Sequence, residues 1–408
     1  MVEHSVLSYA GYYYGKECGY CEEKNKNEQF GLFGNALTSE AYQILIDRGW
    51  RRSGKYLYKP NLRNSCCRMY TIRLDATQFK PSKEVKKSLK KWKRFLLGDK
   101  LYQKVYANKP FQLDDYIGSN ALDKSLDDDK VIHKLTVELE PSSFSKRKFE
   151  LYKKYQKAIH HDKEEELTEE GFVRFLCDSP LEEVCDSDID EDELSDDENN
   201  HPLYGSFHQL YSVDDELVAV GVIDLLPHAV SSVYFFYDPD YKGYSLGKLS
   251  ATYETVMAKR MGYQYYYMGY YIHTCQKMKY KGRYGPSYLL NPTTCTWLPL
   301  SKFVDCWENG APRYIFFDEQ GQMQTAAEMS RENVQKDDLM QSFKRKMPGI
   351  ESEEAARKAI DDNPGGYAYG MLFPAKGLCT SLAKMEDVFM EVNATVGLEL
   401  AKTYVLQL

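Results

Sequence analysis

Two pairs of cysteines near the start of the chain constrain its fold more than any other feature. Cys18 and Cys21 lie in "ECGYC", and Cys66 and Cys67 follow in "NSCCRMY", forty-five positions after the first pair ends. Four thiolates match the number of ligands in a tetrahedral metal site. An adjacent pair can join such a site only at a turn or bulge, because an extended backbone sends neighbouring side chains to opposite faces. A bound metal is the leading interpretation; redox chemistry and plain burial are the alternatives.

The cellular compartment decides how such cysteines are read. No apolar run approaches the roughly 20 residues that span a bilayer, and "MVEHSVLSYAGYYYGKE" lacks the basic and apolar regions of a signal peptide. We therefore expect no membrane association and a cytoplasmic or nuclear location. Thiols stay reduced there, which favours metal ligands over disulfides.

Length and charge suggest how the chain is divided. At 408 residues it exceeds one core of usual size, so at least two domains are expected. The net charge of −8 is concentrated in "DSDIDEDELSDDE", which holds nine carboxylates, so the rest of the chain is near +1. We interpret 186–199 as a solvated insertion, since such a charge density cannot build a core. A regulatory loop or acidic mimic is the alternative.

Four segments follow from the hydrophobic patterns. Residues 1–79 are predicted to form a small α+β module around the cysteines, with Thr38 or Ser39 capping a helix. Residues 80–130 are predicted to be a basic amphipathic helix and a linker. The helix is interpreted either as an arm that contacts nucleic-acid phosphates or as a solvated linker helix. Residues 131–345 form the largest unit, and 346–408 are C-terminal elements whose placement the pattern does not determine.

The order of elements after residue 131 indicates a fold class. The sequence predicts a strand, a helix, antiparallel strands, a glycine-containing loop that opens a helix, and then the aromatic strand "QYYYMGYYI". This is the order of the N-acetyltransferase-like (GNAT) fold. The prediction is thus α+β, with a GNAT-like catalytic domain behind the cysteine module.

The loop "KGYSLGK" is a candidate anion site. It contains Lys242, Gly243, Ser245, Leu246 and Gly247. Backbone N–H groups at a helix N-terminus favour an anionic group, and the glycines allow close approach. A plain helix entry is the alternative.

A stretch without carboxylates runs from Thr255 to Val304. Within it, Lys277, Lys279 and Lys281 alternate with aromatic and apolar side chains. Cations interleaved with aromatics suit the phosphates and unstacked bases of a single-stranded nucleic-acid end. An edge strand with purely structural alternation is the competing interpretation. His273, just after the aromatic strand, is a candidate general base, although the other histidines have an equal compositional claim.

With these motifs in view, the chain resembles the yeast-type arginyl-tRNA–protein transferases. The resemblance is carried by "SYAGYYYGKECGYC", "SCCRMYTIRLD", "SSVYFFYDPDYKGYSLGKLSATYE" and "GYQYYYMGYYIHTCQKMKYKGRYGPSYLL". It covers about residues 5–80 and 131–300. One departure is Arg68, where many relatives have proline after the paired cysteines.

The resemblance implies an enzyme that transfers arginine from charged tRNA to the N-terminal α-amine of proteins beginning with Asp, Glu or oxidised Cys. These products are N-degrons, destined for ubiquitin-dependent degradation. It also implies zinc or an iron–sulfur cluster at the four cysteines. We expect no ATP and no coenzyme A as cofactors, and a monomer. The alternatives are a coenzyme A-dependent GNAT acyltransferase and a metal-stabilised RNA-binding module.

The chemistry of this reaction suggests further site residues. The arginine side chain needs a carboxylate, for which Asp224 and Asp238 are candidates, and the acidic acceptor needs a cation, for which Arg68, Arg73 and Lys242 are candidates. Tyr270, Tyr271 and His273 are the candidate catalytic residues, the tyrosines for hydrogen-bond donation to the developing oxyanion and the histidine for base assistance.

Overall fold

The computed structural model describes residues 4–21, 23–106, 108–117, 131–182, 204–330 and 338–408. The acidic insertion predicted at 186–199 lies outside these ranges. In the described part of the chain, no helix combines the length and the apolar character needed to cross a bilayer.

Strands and helices both occur along the chain, often in runs of two or three of one kind, which confirms the α+β class. The strands are β1 Ser5–Glu17, β2 Lys24–Ala36, β3 Arg51–Ser53, β4 Tyr56–Pro60, β5 Tyr70–Asp75, β6 Leu135–Pro141, β7 Gly205–Val213, β8 Glu216–Leu226, β9 Ala229–Tyr237, β10 Tyr265–Tyr271, β11 Ser287–Leu290, β12 Trp297–Pro299, β13 Phe316–Phe317, β14 Met323–Gln324, β15 Gly365–Ala368, β16 Met371–Phe373 and β17 Tyr404–Gln407. The helices are α1 Ser39–Asp47, α2 Lys83–Leu97, α3 Asp99–Tyr106, α4 Lys146–Tyr155, α5 Glu169–Phe172, α6 Leu246–Arg260, α7 Gln276–Lys279, α8 Leu300–Glu308, α9 Gln341–Lys344, α10 Glu353–Lys358, α11 Ala375–Ser381 and α12 Met385–Val396.

A seven-stranded sheet is built from both ends of the described chain. Its order is β16-β15-β17-β1-β2-β4-β3. The long β1–β2 hairpin forms its centre, and β17 lies parallel to β1, with Ser5 opposite Tyr404. The apolar faces of α1 and α12 pack into the core below it.

An eight-stranded sheet holds most of the remaining strands. Its order is β12-β11-β5-β10-β9-β8-β7-β6. All neighbours are antiparallel except β9 and β10, whose parallel pairing runs only from Ala229–Tyr265 to Ser231–Tyr267. Both strands continue beyond that point, so a gap opens between their carboxyl ends.

Two predicted helices have the expected caps and faces. Thr38, and not Ser39, caps α1 by accepting a hydrogen bond from the Ala41 N–H. Helix α2 is amphipathic as predicted: it buries Val85, Leu89, Trp92 and Leu96 and leaves most of its lysines toward solvent. The burial of one face stabilises a helix whose other face carries like charges.

Hydrogen bonding crosses the predicted segment boundaries. Strand β5, from the first predicted segment, pairs with β10 and β11 of the third. Strand β17, from the last segment, pairs with β1 of the first. The division of the chain into folding units stays a prediction, and these ladders join its parts.

Candidate functional site

The carboxyl ends of β9 and β10 diverge at one end of the larger sheet, and helix α6 begins there. A 3-10 turn, Pro239–Tyr244, connects β9 to α6, and Ser245 adopts a left-handed conformation with φ 59° just before the helix. Ligands bind preferentially at the carboxyl ends of parallel strands, where the sheet opens. This end of the sheet is therefore the candidate site.

The predicted anion loop lies at this opening. Lys242 and Gly243 are exposed, Leu246 is buried, and Gly247 is partly exposed in the first turn of α6. Asp238 caps the 3-10 turn by accepting the Asp240 N–H at 3.0 Å, and it also forms an ion pair with Lys154 at 2.6 Å. Because Asp238 is already engaged twice, its predicted role in binding a substrate guanidinium stays a prediction.

Two basic segments that are distant in sequence meet beside this loop. Helix α2 packs against α6 and the 3-10 turn, and Lys91 Nζ donates to the Gly243 carbonyl at 2.8 Å. Glu84 at the start of α2 binds both Lys248 of α6 and Arg283. The fold thus joins the predicted basic helix, the anion loop and the 276–283 segment in one surface, which we call the basic surface.

The lysines of the 276–283 segment do not all face outward. Residues 276–283 form α7 and a 3-10 turn, so the competing interpretation of an edge strand is wrong. Lys277 is exposed and Lys279 is half-buried, whereas Lys281 Nζ donates to the Tyr270 carbonyl at 3.0 Å. Helical turns direct successive side chains to different sides. Lys281 therefore binds the carboxyl end of β10, while the Lys277 side chain is exposed to solvent.

Two pockets lie next to each other at the end of β10. The first, which we call the basic-side pocket, has about 550 Å³ and is lined by Tyr271, Gln276, Lys279, Tyr280, Arg283 and Leu300 among others. The second has about 180 Å³ and is lined by Arg68, Tyr70, His273, Thr274, Trp307 and Arg313 among others. We call it the arginine pocket after the two arginines in its lining, and not after any ligand.

Tyr271 and His273 connect the two pockets. Tyr271 lines the first pocket and His273 the second, and the Tyr271 hydroxyl lies 3.0 Å from Nδ1 of His273. The His273 ring stacks on Trp307 with centroids 4.7 Å apart. Burial, and then the charge of Lys279, lower the pKa of His273 against the opposing effect of Glu308. A neutral imidazole at cytosolic pH is able to accept a proton.

Three other candidates are held in internal contacts. The Tyr270 hydroxyl donates to the Gly49 carbonyl at 3.1 Å. Asp224 is fully buried and forms a two-pronged ion pair with Arg52, at 2.6 and 2.8 Å. Arg73 lies over the rings of Tyr265 and Trp297, at 3.6 and 4.0 Å. Substrate would have to displace these contacts to reach the three side chains, so their predicted roles gain no support.

Glu254 and two residues of the arginine pocket were not anticipated from the sequence. Glu254 is fully buried in α6 and accepts hydrogen bonds from Ser250 and from Tyr266, the latter at 2.6 Å. Burial raises the pKa of its carboxyl. Glu254 is the single carboxylate of α6, and that isolated residue was the sequence signal by which it could have been found. Trp307 and Arg313 carried no signal, since they follow the motifs in a segment with no distinctive pattern.

The four cysteines come together as predicted. Their Sγ atoms all lie within 4.8 Å of one another. Cys18 and Cys21 belong to the turn of the β1–β2 hairpin, and Cys66 and Cys67 lie on a bend before β5. The bend supplies the geometry that an adjacent pair requires, so the donor set and its spacing fit a four-thiolate metal site.

The environment of the thiols bears on their ionisation. Cys18, Cys66 and Cys67 are buried, whereas Cys21 is exposed. Burial raises the pKa of the Cys66 thiol to about 12 and raises that of Cys67 as well. Burial also opposes ionisation of Cys18, but N–H groups of Tyr20 and Cys21 lower its pKa overall. A cation held by the cluster would offset the cost of buried thiolates.

The cluster packs directly on the candidate site. Cys18, Cys66 and Cys67 form one apolar cluster with Met69 and with Tyr270 and Ile272 at the end of β10. Ile272 also lines the arginine pocket, and Arg68 follows Cys67 directly. A ligand at the thiols would therefore stabilise one wall of that pocket.

A further pocket of about 560 Å³ lies at the opposite end of β9 and β10. Glu40, Asp47, Glu399 and His228 contribute to its lining. Asp47 accepts hydrogen bonds from Gln43 at 2.9 Å and Trp297 at 3.2 Å. The carboxylates that line this pocket would repel a polyanion, and the pocket lies away from the basic surface. We therefore do not assign it to a nucleic acid.

Two family models match the chain. They are "Arginine-tRNA-protein transferase, N terminus", over residues 16–87, and "Arginine-tRNA-protein transferase, C terminus", over residues 147–291. The chain is 32% identical to arginyl-tRNA–protein transferase 1 of Drosophila melanogaster, over 74% of this chain and 83% of that protein.

Two further similarities concern the acceptor and the fold. The chain is 28% identical to an aspartate/glutamate leucyltransferase of Pseudomonas syringae pv. syringae, over 69% of this chain and 93% of that protein. Among solved structures, L-PGS from Bacillus licheniformis is 12% identical over 57% of this chain and 50% of that chain, with a TM-score of 0.27. That score is too low to support an argument about the fold.

Proposed function

Because the chain belongs to the arginyl-tRNA–protein transferase family, we propose that it transfers arginine from charged tRNA to the N-terminal α-amine of proteins beginning with Asp, Glu or oxidised Cys. The modified proteins become N-degrons for ubiquitin-dependent degradation. The enzyme acts as a monomer in the cytoplasm or nucleus.

One observation carries the assignment of the tRNA side: the basic surface borders the basic-side pocket. Arg283 both lines the pocket and binds Glu84 of α2, and Lys279 lines it as well. A tRNA brings phosphates along its acceptor stem and an unstacked base at its end, which cations and aromatic rings respectively accommodate. The size of the pocket, about 550 Å³, is in the range of pockets that hold ligands as large as drug molecules.

The acidic acceptor is supported by a second relative. The name of the similar Pseudomonas protein, an aspartate/glutamate leucyltransferase, specifies Asp and Glu but a different amino acid for transfer. Since that protein matches 69% of this chain, the shared part is expected to hold the acceptor site, while the amino-acid site differs.

The reaction needs little covalent assistance from the protein. An α-amine has a pKa of about 7.7 to 8.0, so a useful fraction is neutral at cytosolic pH. Its nitrogen attacks the ester carbonyl carbon, an amide bond forms, and the bond from that carbon to the ribose oxygen breaks. One amine proton leaves to a base, and the ribose oxygen takes up a proton.

His273 and Tyr271 are the side chains that we assign to these proton movements. Neutral His273 accepts the amine proton, and Tyr271, whose hydroxyl lies 3.0 Å from the imidazole, lines the basic-side pocket. Alignment of amine and ester in neighbouring pockets supplies most of the rate enhancement.

The catalytic part is proposed to be GNAT-like. The parallel β9–β10 pair that opens at its carboxyl end, with α6 starting in the opening, supports this assignment. A helix N-terminus beside the gap favours an anionic group. No coenzyme A and no ATP are expected, because the aminoacyl ester is already activated.

Cys18, Cys21, Cys66 and Cys67 would hold the metal, either zinc or an iron–sulfur cluster. When bound, the metal would supply a cross-link between the β1–β2 hairpin and the segment before β5. These residues hold the wall on which Arg68 and Tyr270 lie.

The test uses radiolabelled arginine-charged tRNA and peptides that differ only in an N-terminal Asp, Glu or Ala. We expect label on the Asp and Glu peptides and none on the Ala peptide. Heat-treated protein and uncharged tRNA with free arginine are the controls. Folded protein that labels none of the peptides would contradict the proposed function.

A further inference from the structure

The arginine pocket has the chemistry of a carboxylate site. It is lined by two guanidinium groups, an imidazole and an indole, from Arg68, Arg313, His273 and Trp307. No Asp or Glu is among the described residues that line it. Glu328, whose side chain is 56% exposed, contacts Arg68 from the outside. Such a lining favours a small anion with several acceptor atoms.

Two buried donors in this lining lack acceptors. Arg68 is 7% exposed and donates to the Ser65 carbonyl and to Glu328, but its Nε has no partner among the residues that the structure describes. Trp307 is 9% exposed, and its indole N–H is likewise unpartnered within the described ranges. Buried donors are almost always paired. These two donors are therefore available to a bound ligand or a water.

The pocket has the size of an acidic side chain. Its volume of about 180 Å³ is below the roughly 300 to 1,000 Å³ of pockets for drug-sized ligands, so a small group such as a side-chain carboxylate fits it better than a large ligand. Arg313 is exposed and forms no ion pair with any described residue, so its charge is available at the mouth.

The position of the arginine pocket relative to His273 indicates which carboxylate the pocket binds. His273 lines the arginine pocket, and its Nδ1 lies 3.0 Å from Tyr271 in the neighbouring pocket. A residue whose side chain enters the arginine pocket therefore brings its backbone close to His273. In an N-terminal Asp or Glu, the backbone there carries the α-amine that reacts.

We propose that Arg68 and Arg313, with the Trp307 N–H, form the subsite that binds the side-chain carboxylate of the acceptor's N-terminal residue. This assignment rests on the proposed function. Arg68 is a specificity residue whose position depends on the adjacent thiol cluster, whereas Arg313 is an exposed charge at the pocket mouth.

The test compares acceptor peptides beginning with Asp and with its neutral isostere Asn. Arg313→Ala and Arg68→Lys are each expected to lower kcat/KM for the Asp peptide about tenfold or more, as expected for loss of a charge-assisted contact. The Asn peptide, which the proposed function expects to be a far weaker acceptor and which is assayed at high concentration, should change little, so the Asp-to-Asn preference falls. KM for arginyl-tRNA should not change. Arg147→Ala, which removes an exposed arginine of α4 outside both pockets, is the matched control.

The outcomes separate the two proposals. An unchanged Asp-to-Asn preference in Arg313→Ala overturns the subsite, while transfer by the wild type leaves the proposed function standing. An equal loss on both peptides also overturns it, since it indicates general damage. If the wild type labels no peptide at all, the proposed function fails and the subsite with it. Because Arg313 is exposed, its variant decides the matter even if Arg68→Lys fails to fold.

Discussion

Buried thiols at the edge of the candidate site are costly to ionise unless a cation is present. Three of the four cysteines in the cluster are buried, and burial raises the pKa of Cys66 and Cys67. Metal binding reverses that cost and ties the hairpin to the segment before β5. At the residue scale, the cluster therefore couples metal content to stability.

We predict that Cys18→Ser lowers both the bound metal and the thermal midpoint. One of four ligands is lost, and loss of a structural metal is among the largest single-site effects on stability. The measurement is metal analysis and calorimetry on protein purified without air. Cys379→Ser, at a partly buried thiol outside the cluster, is the control. Equal metal content in both variants and the wild type would contradict the four-thiolate site.

His208 is a buried histidine that the site does not use. Its Nε2 lies 2.9 Å from the Leu176 carbonyl, and its Nδ1 lies 3.0 Å from Lys148 Nζ. Burial, and then Lys148 and Arg52, lower its pKa to about 4, although the Leu176 carbonyl and Glu140 oppose the shift. Lys148 itself pairs with Glu140 at 2.6 Å. The folded protein thus holds His208 neutral.

This shift predicts a pH-dependent loss of stability. The folded-state pKa of about 4 lies below the unfolded value of about 6.5, so the unfolded chain takes up a proton as pH falls through that window. When the pH falls from 7.5 to 5, the titration of His208 should lower the free energy of unfolding by about 2 kcal/mol. Denaturant unfolding at both pH values should show a smaller decline for His208→Gln than for the wild type. Parallel declines would contradict the assignment.

At the scale of elements, helix α2 owes its position to its apolar face and exposes cations on the opposite one. Trp92 stacks on Phe95 and contacts Tyr244 of the 3-10 turn edge-on, which anchors the helix beside α6. Lys87, Lys90 and Lys91 are exposed on the other face. The fold therefore presents a row of cations next to the start of α6.

We predict that Lys87→Ala/Lys90→Ala/Lys91→Ala weakens tRNA binding and flattens its salt dependence. Each phosphate contact contributes about 0.7 to 0.9 to the slope of log affinity against log salt, so the slope should fall by about 2 to 3. Filter binding at several salt concentrations measures both quantities.

The control is a second triple variant, Lys358→Ala/Lys376→Ala/Lys402→Ala. These three lysines are also exposed, but they lie on the elements around the seven-stranded sheet. The same loss of net charge there should leave the slope unchanged. A fall of similar size in both triple variants would mean that overall charge, and not the basic surface, attracts the tRNA.

At the scale of the whole molecule, the last described strand completes the first sheet. Strand β17 lies between β1 and β15, parallel to both. Tyr404 is fully buried, and its hydroxyl donates to Asn393 of α12 at 2.7 Å. The two ends of the described chain thus stabilise each other through a pairing that spans nearly its full length.

We predict that Tyr404→Ala destabilises the protein by about 3 to 5 kcal/mol, by analogy with other aromatic-to-alanine core changes. Tyr404→Phe keeps the ring and leaves the side-chain Oδ1 of Asn393 without its donor, which costs about 1 to 3 kcal/mol. Thermal unfolding followed by tryptophan fluorescence gives the order of the midpoints. Equal midpoints for the two variants would show that β17 is not part of the cooperative core.

Much of the site was predictable because its signals are local. The C-x-x-C and paired cysteines, the 3.6-residue period of α2 and the aromatic motifs are each read within a few residues, and the structure brings the thiols and the basic segments together. The family was likewise evident from motifs within two stretches of the chain. The sequence by itself determined the α+β class, the four cysteines that come together and the amphipathic basic helix.

Only the tertiary structure decided which charged groups are free. Asp224 and Arg73 were reasonable candidates until Arg52 and two aromatic rings were found against them, whereas Arg313 and Trp307 gained importance from a pocket that no motif indicates. Likewise, β5 and β17 pair with strands distant in sequence. The reason is physical: the availability of a charge and the partner of a strand depend on non-local contacts, which local sequence patterns do not encode.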